Sequence, residues 1–327
     1  MPQNINLTDP IFHDMDKARA WLEASRWPDG PYCPHCGSTN VAVMGGKAHR
    51  PGLFHCPACR GQFTVLTGSV VESSHIALPK WVLAIRLMAS SKKGVSAHQL
   101  HRSLGITYKS AWFMADRIRE AMSDPKAPPI GGQGKIIEAD EAYHGKRETE
   151  APKSRNATKN PTKRGKGGGA AKRPIVALVE RGGEARVTHM NHVTSANINE
   201  FMARYVSFDS RLQTDESKLY PTLGKQFASH ETVNHGAREY APGDVNTNSA
   251  EGFFGIFKRG MVGVYQHCGE QHFQRYLDEF TFRYNLRVKL GVEDTERAER
   301  TTKAMNGKRL TYRRIGGQAE VAGSSAS

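Results

Sequence analysis

Three acidic residues in stretches of predicted regular structure could together hold divalent metal ions. Asp140 lies in 136–143, a run with β-branched and aromatic residues that predicts a strand. Asp215 closes a second strand-like run, and Glu251 lies in a helix-like segment over 248–259. An unpaired buried carboxylate costs several kcal/mol, so acidic residues on core elements indicate that a cation binds there.

Carboxylate oxygens are the ligands that hard cations such as Mg²⁺ prefer. A pair of Mg²⁺ ions about 4 Å apart can activate an attacking hydroxyl and stabilise the leaving oxygen during displacement at phosphorus. Lys258 lies two helical turns after Glu251 on the same face, where it could meet a phosphate, and Asn248 shares that face. The opposite helix face is predicted to pack on the sheet through Phe253, Phe257 and Gly260.

Other carboxylates compete for the same role. Glu138 alternates onto the same side of the strand as Asp140, whereas Glu141 is expected to point away. Asp278 and Glu279 fall in a later helix, where surface ion pairing is the expected role. We therefore predict that the catalytic metal ligands are Asp140, Asp215 and Glu251.

Four cysteines form two matched pairs that predict a zinc site. Cys33 and Cys36 make one Cys-x-x-Cys pair, and Cys56 and Cys59 make the second pair after 19 intervening residues. Two such turns can close a tetrahedral site, and the metal would supply folding free energy that so small a module lacks. The pattern predicts a zinc ribbon over 31–70 with one structural Zn²⁺, which could contact either DNA or protein.

Helical periodicity surrounds the ribbon. Residues 1–30 are predicted to hold a short helix, and 75–123 to hold three helices, the last two joined by a turn at Gly105. Two helices joined in this way resemble a helix-turn-helix, and Lys109 would then begin a recognition helix that contacts DNA. An ordinary helical hairpin is the alternative.

The remaining chain must position the acidic residues. A proline- and glycine-rich stretch at 124–134 predicts a linker, and 135–290 predicts an α/β domain, a mixed sheet with helices on its faces. A basic insertion at 146–173 would either contact phosphates or form a solvated loop. The polar composition of 291–327 predicts a C-terminal tail.

The net charge of +14 indicates a polyanionic partner, and nucleic acid is the commonest one. A basic enzyme without such a partner is the alternative. No stretch approaches the ~20 apolar residues of a membrane span, and no secretory signal is visible at the N-terminus. We therefore expect a cytoplasmic protein with no membrane partner.

Taken together, these motifs resemble the DDE transposases of bacterial insertion sequences, specifically the fifteen-ninety-five family. The resemblance covers about residues 15–290, and besides the cysteine pairs it is carried by 62–68, 139–143, 214–215, Tyr220, 245–260, 275–280 and 283–287. It implies an RNase H-like catalytic domain preceded by a zinc ribbon, two catalytic Mg²⁺ ions for which Mn²⁺ can substitute, and transposon-end DNA as substrate. Members of the family differ in the residue at the third acidic position, so Asn248 and Glu251 both stay candidates for it.

The expected activity is that of a bacterial transposase that nicks transposon ends and joins the freed 3′-hydroxyls to target DNA. Both substrates are double-stranded, and Lys258, Arg259, Lys109 and Asn248 are the predicted DNA contacts. We expect a homo-oligomer that holds two ends together and is associated with the nucleoid. A non-catalytic DNA-binding copy and a nuclease without strand joining are the alternatives.

Overall fold

The computed structural model describes residues 6–146, 172–217, 219–233 and 244–311. The predicted basic insertion therefore lies outside the described residues except at its ends, which belong to two paired strands. Within the described ranges, no helix has the length and apolar character needed to cross a membrane.

The N-terminal part joins one helix to a small antiparallel sheet. Helix α1 (Met15–Arg26) begins at Asp14, whose carboxylate accepts hydrogen bonds from two backbone N–H groups of the first turn. Strands β1 (Ala42–Met44), β2 (Leu53–His55) and β3 (Gln62–Phe63) form the ribbon, with Trp27 packed edge-on against Phe54. Strand β3 ends at Phe63, and the Thr67 hydroxyl then accepts a hydrogen bond from the Thr64 N–H and closes a turn.

The three helices predicted over 75–123 are present. Helices α2 (Leu78–Ser90), α3 (Ala97–Leu104) and α4 (Tyr108–Met122) share one apolar core with α1 and the ribbon. Gly105 ends α3 in the left-handed conformation with φ of 58°, which glycine adopts without steric penalty. Thr107 then caps α4 by accepting a hydrogen bond from the Ser110 N–H.

The second half of the chain is built on a mixed sheet. Its strands run in the order β10 (Ser229–Val233), β9 (Arg211–Asp215), β5 (Ile136–Lys146), β6 (Lys172–Glu180) and β7 (Ala185–His189). Strands β5, β6 and β7 are antiparallel neighbours, and β9 and β10 run parallel to β5. This is the RNase H-like arrangement, so the predicted fold class is confirmed. In chain order the elements are β4 (Ile130–Gly131), β5 (Ile136–Lys146), β6 (Lys172–Glu180), β7 (Ala185–His189), α5 (Ser195–Tyr205), β8 (Val206–Ser207), β9 (Arg211–Asp215), α6 (Pro221–Gly224), β10 (Ser229–Val233), α7 (Asn248–Gly260), α8 (Phe273–Asn285) and α9 (Asp294–Lys303).

Helices cover both faces of this sheet. On one face, Ile175, Ala177 and Val179 of β6 pack in a core with α7 and α8. On the other face, Val176 and Leu178 pack in a core with α5 and the segment after β9. Because both faces are covered, β6 reads in the sequence as a continuous apolar run.

The expected polar tail from residue 291 is wrong for 291–311. Helix α9 packs against α1 and α2, and Ala298 and Met305 are buried in the N-terminal core. Arg297 is also buried and donates to the Ala89 carbonyl over 3.0 Å. Short Ala and Thr side chains provide the buried face of α9, which hydropathy does not reveal. Residues 312–327 lie outside the described residues.

A buried ionic network joins α4 to α8 across the predicted linker. Arg119 donates to Glu279 over 2.8 Å and to Asp116 over 2.9 Å, and Arg283 also donates to Glu279. The expectation of a surface role for Glu279 is therefore wrong, because its carboxylate is fully buried between two arginines. The domain boundary at 124–134 stays a prediction, since the elements on its two sides pack together.

Candidate metal centre and nucleic-acid interface

Asp140 and Asp215 lie side by side where the pairing of two parallel strands ends. The parallel register of β5 and β9 pairs Glu138 with Gln213 and Ala139 with Thr214, and each Asp follows by one residue. Alternation places both Asp side chains on the sheet face covered by α7. Carboxylate oxygens of the two residues lie within 4.8 Å of each other.

Glu141 joins this pair, although it was expected to point away. It does alternate onto the opposite sheet face, where the fully buried Tyr220 donates its hydroxyl to the Glu141 carboxylate. One carboxylate oxygen of Glu141 nevertheless lies within 4.8 Å of those of Asp140 and Asp215. The physical reason is that the pairing of β5 with β9 ends at Ala139, so on the β9 side no strand lies beside Glu141 to separate the two faces. Alternation alone could not reveal this.

The crowded acidic group is difficult to ionise. Burial, with added repulsion from Asp215 and Glu251, raises the pKa of Asp140 to about 6. Burial also raises the pKa of Glu141 to about 7, against the Tyr220 hydrogen bond, which lowers it. A bound divalent cation would remove this penalty, so the donor set of closely spaced carboxylate oxygens fits a hard metal ion.

Glu251 approaches the acidic group from α7. It lies in the first turn of the helix and is exposed, and its charge contributes to the raised pKa of Asp140. The Thr247 hydroxyl donates to the Glu251 carboxylate over 3.3 Å. Glu251 does not belong to the group whose oxygens lie within 4.8 Å of one another. The predicted packing of the opposite helix face is confirmed by the burial of Phe253, Phe257 and Gly260.

The four predicted DNA-contact residues occupy two separate exposed surfaces. Lys258 and Arg259 are exposed near the end of α7, and the Lys258 charge lowers the pKa of Asp140. Asn248 is exposed in the first turn of the same helix. Lys109 is exposed in the first turn of α4, beside Tyr108, which is 45% exposed and stacks on His98 at 4.3 Å between ring centroids.

The cysteine quartet forms a structural zinc site. The Sγ atoms of Cys33, Cys36, Cys56 and Cys59 lie within 4.8 Å of one another. The Cys33–Cys59 and Cys36–Cys56 Sγ separations are both 3.6 Å. A tetrahedral site with Zn–S bonds of about 2.3 Å needs Sγ separations of about 3.8 Å, so the folded quartet fits zinc.

Comparison with known proteins bears on both sites. Residues 132–285 match a family model described as the ISXO2-like transposase domain, and residues 14–62 match one described as the transposase zinc-ribbon domain. A protein of Halobacterium salinarum, described as an uncharacterized protein in transposable element ISH50, is 28% identical over 285 residues. That match covers 85% of this chain and 93% of the relative.

Two solved structures were also matched. The Mos1 strand transfer complex is 13% identical, covers 70% of this chain and 79% of its own, and has a TM-score of 0.24. The pre-cleavage Mos1 transpososome is 14% identical, covers 70% of this chain and 80% of its own, and has a TM-score of 0.23. TM-scores this low support no argument about this chain.

The two family models together match well over half of the chain, with the ribbon first and the strand-and-helix region second. Both are models of the IS1595 family, and the order agrees with the cysteine quartet and the mixed sheet described above. The chain therefore belongs to the IS1595 family of insertion-sequence DDE transposases.

Proposed function

We propose that this transposase cuts the ends of its insertion sequence and joins them to target DNA by divalent-metal-dependent phosphoryl transfer. The observation that carries the proposal is that Asp140 and Asp215 each follow the last residue pair between β5 and β9 and have carboxylate oxygens within 4.8 Å of each other. Glu251 faces them from α7, and Lys258 follows on the same helix. Carboxylates beside an exposed cation suit a reaction at a phosphodiester.

Asp140, Asp215 and Glu251 would hold two Mg²⁺ ions, and Asn248 remains a candidate beside Glu251. Glu141 is close enough to the two Asp residues to supply a further oxygen. When bound, such a pair of ions activates the attacking oxygen and stabilises the leaving one. Lys258 would hold a neighbouring phosphate oxygen through its ammonium group.

The reaction would proceed in two balanced displacements at phosphorus. In the first, a water oxygen bonds to phosphorus, the bond to the 3′-oxygen breaks, and the products are a 3′-hydroxyl and a 5′-phosphate. In the second, that 3′-hydroxyl oxygen attacks a target phosphodiester and a target 3′-hydroxyl leaves. The number of phosphodiester bonds is unchanged in the second step, so it requires no energy-rich cofactor.

The DNA would be held by the N-terminal modules and α7. Residues 31–71 contain no Asp or Glu, while Lys47, Arg50 and Arg60 are exposed in this region. This charge pattern favours contact of the ribbon with DNA rather than with protein. The exposed first turn of α4 with Lys109 would contact terminal repeats, and Arg259 would extend the phosphate contacts of Lys258. A homo-oligomer would then hold two ends together, and the protein would be nucleoid-associated.

The test is a cleavage and joining assay on labelled DNA that carries the element's own ends. Mg²⁺ is omitted rather than chelated in the metal-free arm, because a chelator would also remove the structural zinc. We expect D215A and E251A to lose at least 10³-fold in rate, and D209A, which changes an exposed carboxylate before β9, to keep it.

The alternatives give different results in the same assay. DNA binding without cleavage in Mg²⁺ or Mn²⁺ would refute the proposal and favour a non-catalytic DNA-binding protein. Cleavage without strand joining would favour a nuclease. Full activity of D215A would refute the assignment of the metal ligands.

A further inference from the structure

A buried polar row lies directly behind the acidic pair. Glu138 and Gln213 face each other in the β5–β9 register, each two residues before an Asp on the same strand face. Both side chains are fully buried. Two residues along a strand span about 7 Å, so this row lies one pleat behind Asp140 and Asp215. It also lies under the first turn of α7.

Glu138 takes the place of a capping residue for α7. Its Oε2 accepts the backbone N–H groups of Ser249 over 2.6 Å and of Ala250 over 3.1 Å. Its Oε1 accepts the Ser249 hydroxyl over 3.0 Å. The residue before the helix, Thr247, makes no side-chain capping bond. A carboxylate at this position also interacts favourably with the positive end of the helix dipole.

Arg181 connects the three elements that carry the predicted metal ligands, which are β5, β9 and α7. Its Nε donates to Glu138 on β5 over 2.8 Å, and its Nη2 donates to Gln213 on β9 over 2.7 Å. The same Nη2 donates to the Asn246 carbonyl over 2.8 Å, in the segment that leads into α7. The Asn246 N–H in turn donates to Gln213 over 3.1 Å. Each element that carries a predicted metal ligand is therefore bonded to the Glu138–Arg181 pair.

We propose that Glu138 is the positioning residue that sets the place of Glu251 relative to Asp140 and Asp215, which rests on the function proposed above. Glu138 lies close along the chain to Asp140, and the helix residue that it binds lies close to Glu251. Glu138 is two residues from Asp140 on one strand, and Ala250, whose N–H it binds, directly precedes Glu251. A shift of the first turn of α7 away from β5 would therefore move Glu251 away from the acidic pair.

Glu138→Gln tests this with little change in volume. An amide offers one acceptor oxygen instead of two, and its NH₂ group would face donors that need an acceptor. We expect the cleavage rate to fall about 100-fold, as for a misplacement of catalytic groups by about 1 Å. Mn²⁺ affinity should fall about 10-fold or more, since support of metal ligands has this size of effect. DNA affinity should stay within about twofold, because the change is internal.

Asp116→Asn is the matched control. Asp116 is also a buried carboxylate bonded to an arginine, but it lies on α4 within the ionic network. Three readouts are compared in wild type, E138Q and D116N: cleavage rate at saturating DNA, Mn²⁺ binding by electron paramagnetic resonance, and hydrogen exchange of the Ser249 and Ala250 amides. The exchange measurement needs no activity. We expect these two amides to exchange at least about 10-fold faster only in E138Q.

The outcomes separate this inference from the proposed function. If E138Q cleaves DNA and protects the two amides as D116N does, the positioning role is refuted. If wild type itself shows no metal-dependent cleavage, the proposed function fails, while hydrogen exchange still decides whether Glu138 holds α7. Should E138Q not fold, Ser249→Ala, which removes only the hydroxyl bond, is expected to lower the rate about 3-fold to 10-fold. An unchanged rate in that variant refutes the role.

Discussion

Replacing Asp140 by Asn should make the protein more stable while removing a proposed metal ligand. The Asp140 carboxylate accepts the Glu141 N–H over 2.7 Å, and the Asn carbonyl can accept the same bond. The substitution therefore changes the charge with little change in shape. Since burial and neighbouring carboxylates raise the pKa of Asp140, the ionised form is unfavourable in the metal-free fold.

The magnitude follows from the difference in pKa between the folded and unfolded protein. The pKa of Asp140 is 3.8 ordinarily and about 6 in the fold. Because the folded pKa is raised, the contribution of this group to stability is fully present below pH 3.8 and is lost as the pH rises through 6. The loss is at most about 3 kcal/mol. Water at the partly exposed carboxylate screens it to about 1–2 kcal/mol.

The measurement is thermal unfolding at pH 7.5 and at pH 5 in Mg²⁺-free buffer without chelator. At pH 7.5, the unfolding temperature of D140N should be about 2–6 °C above that of wild type. This difference in unfolding temperature should be smaller at pH 5. Asp29→Asn, which changes an exposed carboxylate, is the control and should unfold at the same temperature as wild type. Mg²⁺ at ten times its dissociation constant should stabilise wild type by about 1.4 kcal/mol and D140N by less. If D140N is no more stable than wild type at pH 7.5, the ionised Asp140 carboxylate does not destabilise the metal-free fold and the reasoning is wrong.

Three further predictions concern other parts of the molecule. Cys56→Ser leaves three thiolates and should abolish stoichiometric zinc, measured by atomic absorption after dialysis; retained zinc would contradict the quartet. Tyr220→Phe removes the hydrogen bond that lowers the pKa of Glu141. The Mn²⁺ affinity of this variant should therefore fall severalfold at pH 6.5 and recover by pH 8.5. An equal loss of affinity at both pH values would contradict this role of Tyr220. Arg119→Met leaves the buried Glu279 with one cation fewer and should lower the free energy of unfolding in urea by about 3 kcal/mol; a change under about 1 kcal/mol would show that Arg283 alone compensates the charge.

The sequence predicted those parts of the site that depend on local pattern. Asp140 and Asp215 could be proposed for one site because Asp140 lies in one strand-like run and Asp215 closes another. The buried and exposed faces of α7 followed from helical periodicity in the same way. The cysteine spacing predicted the quartet because two short turns are enough to form it.

The rest depended on contacts that no local pattern encodes. The position of the Glu141 carboxylate depends on where β9 ends, and the role of Glu138 depends on which helix begins above it. Helix α9 is polar in sequence, yet Ala298 is buried because α1 and α2 provide an apolar surface more than 190 residues away along the chain. In each case, the deciding partner comes from a distant segment.

The structural carboxylates differ from the functional ones in how far nearby positive groups offset their charge, more than in how deeply they are buried. Burial alone would raise the pKa of Glu279, but the charges of Arg283 and Arg119 hold it below its ordinary value. Glu138 is likewise fully buried and accepts four hydrogen bonds, one of them from Arg181. Asp140 and Glu141 are less deeply buried, yet burial is still the largest cause that raises their pKa values, and neighbouring carboxylates raise them further. A site that remains short of positive charge after folding is suited to bind a cation, and only the folded chain shows which acidic residues form it.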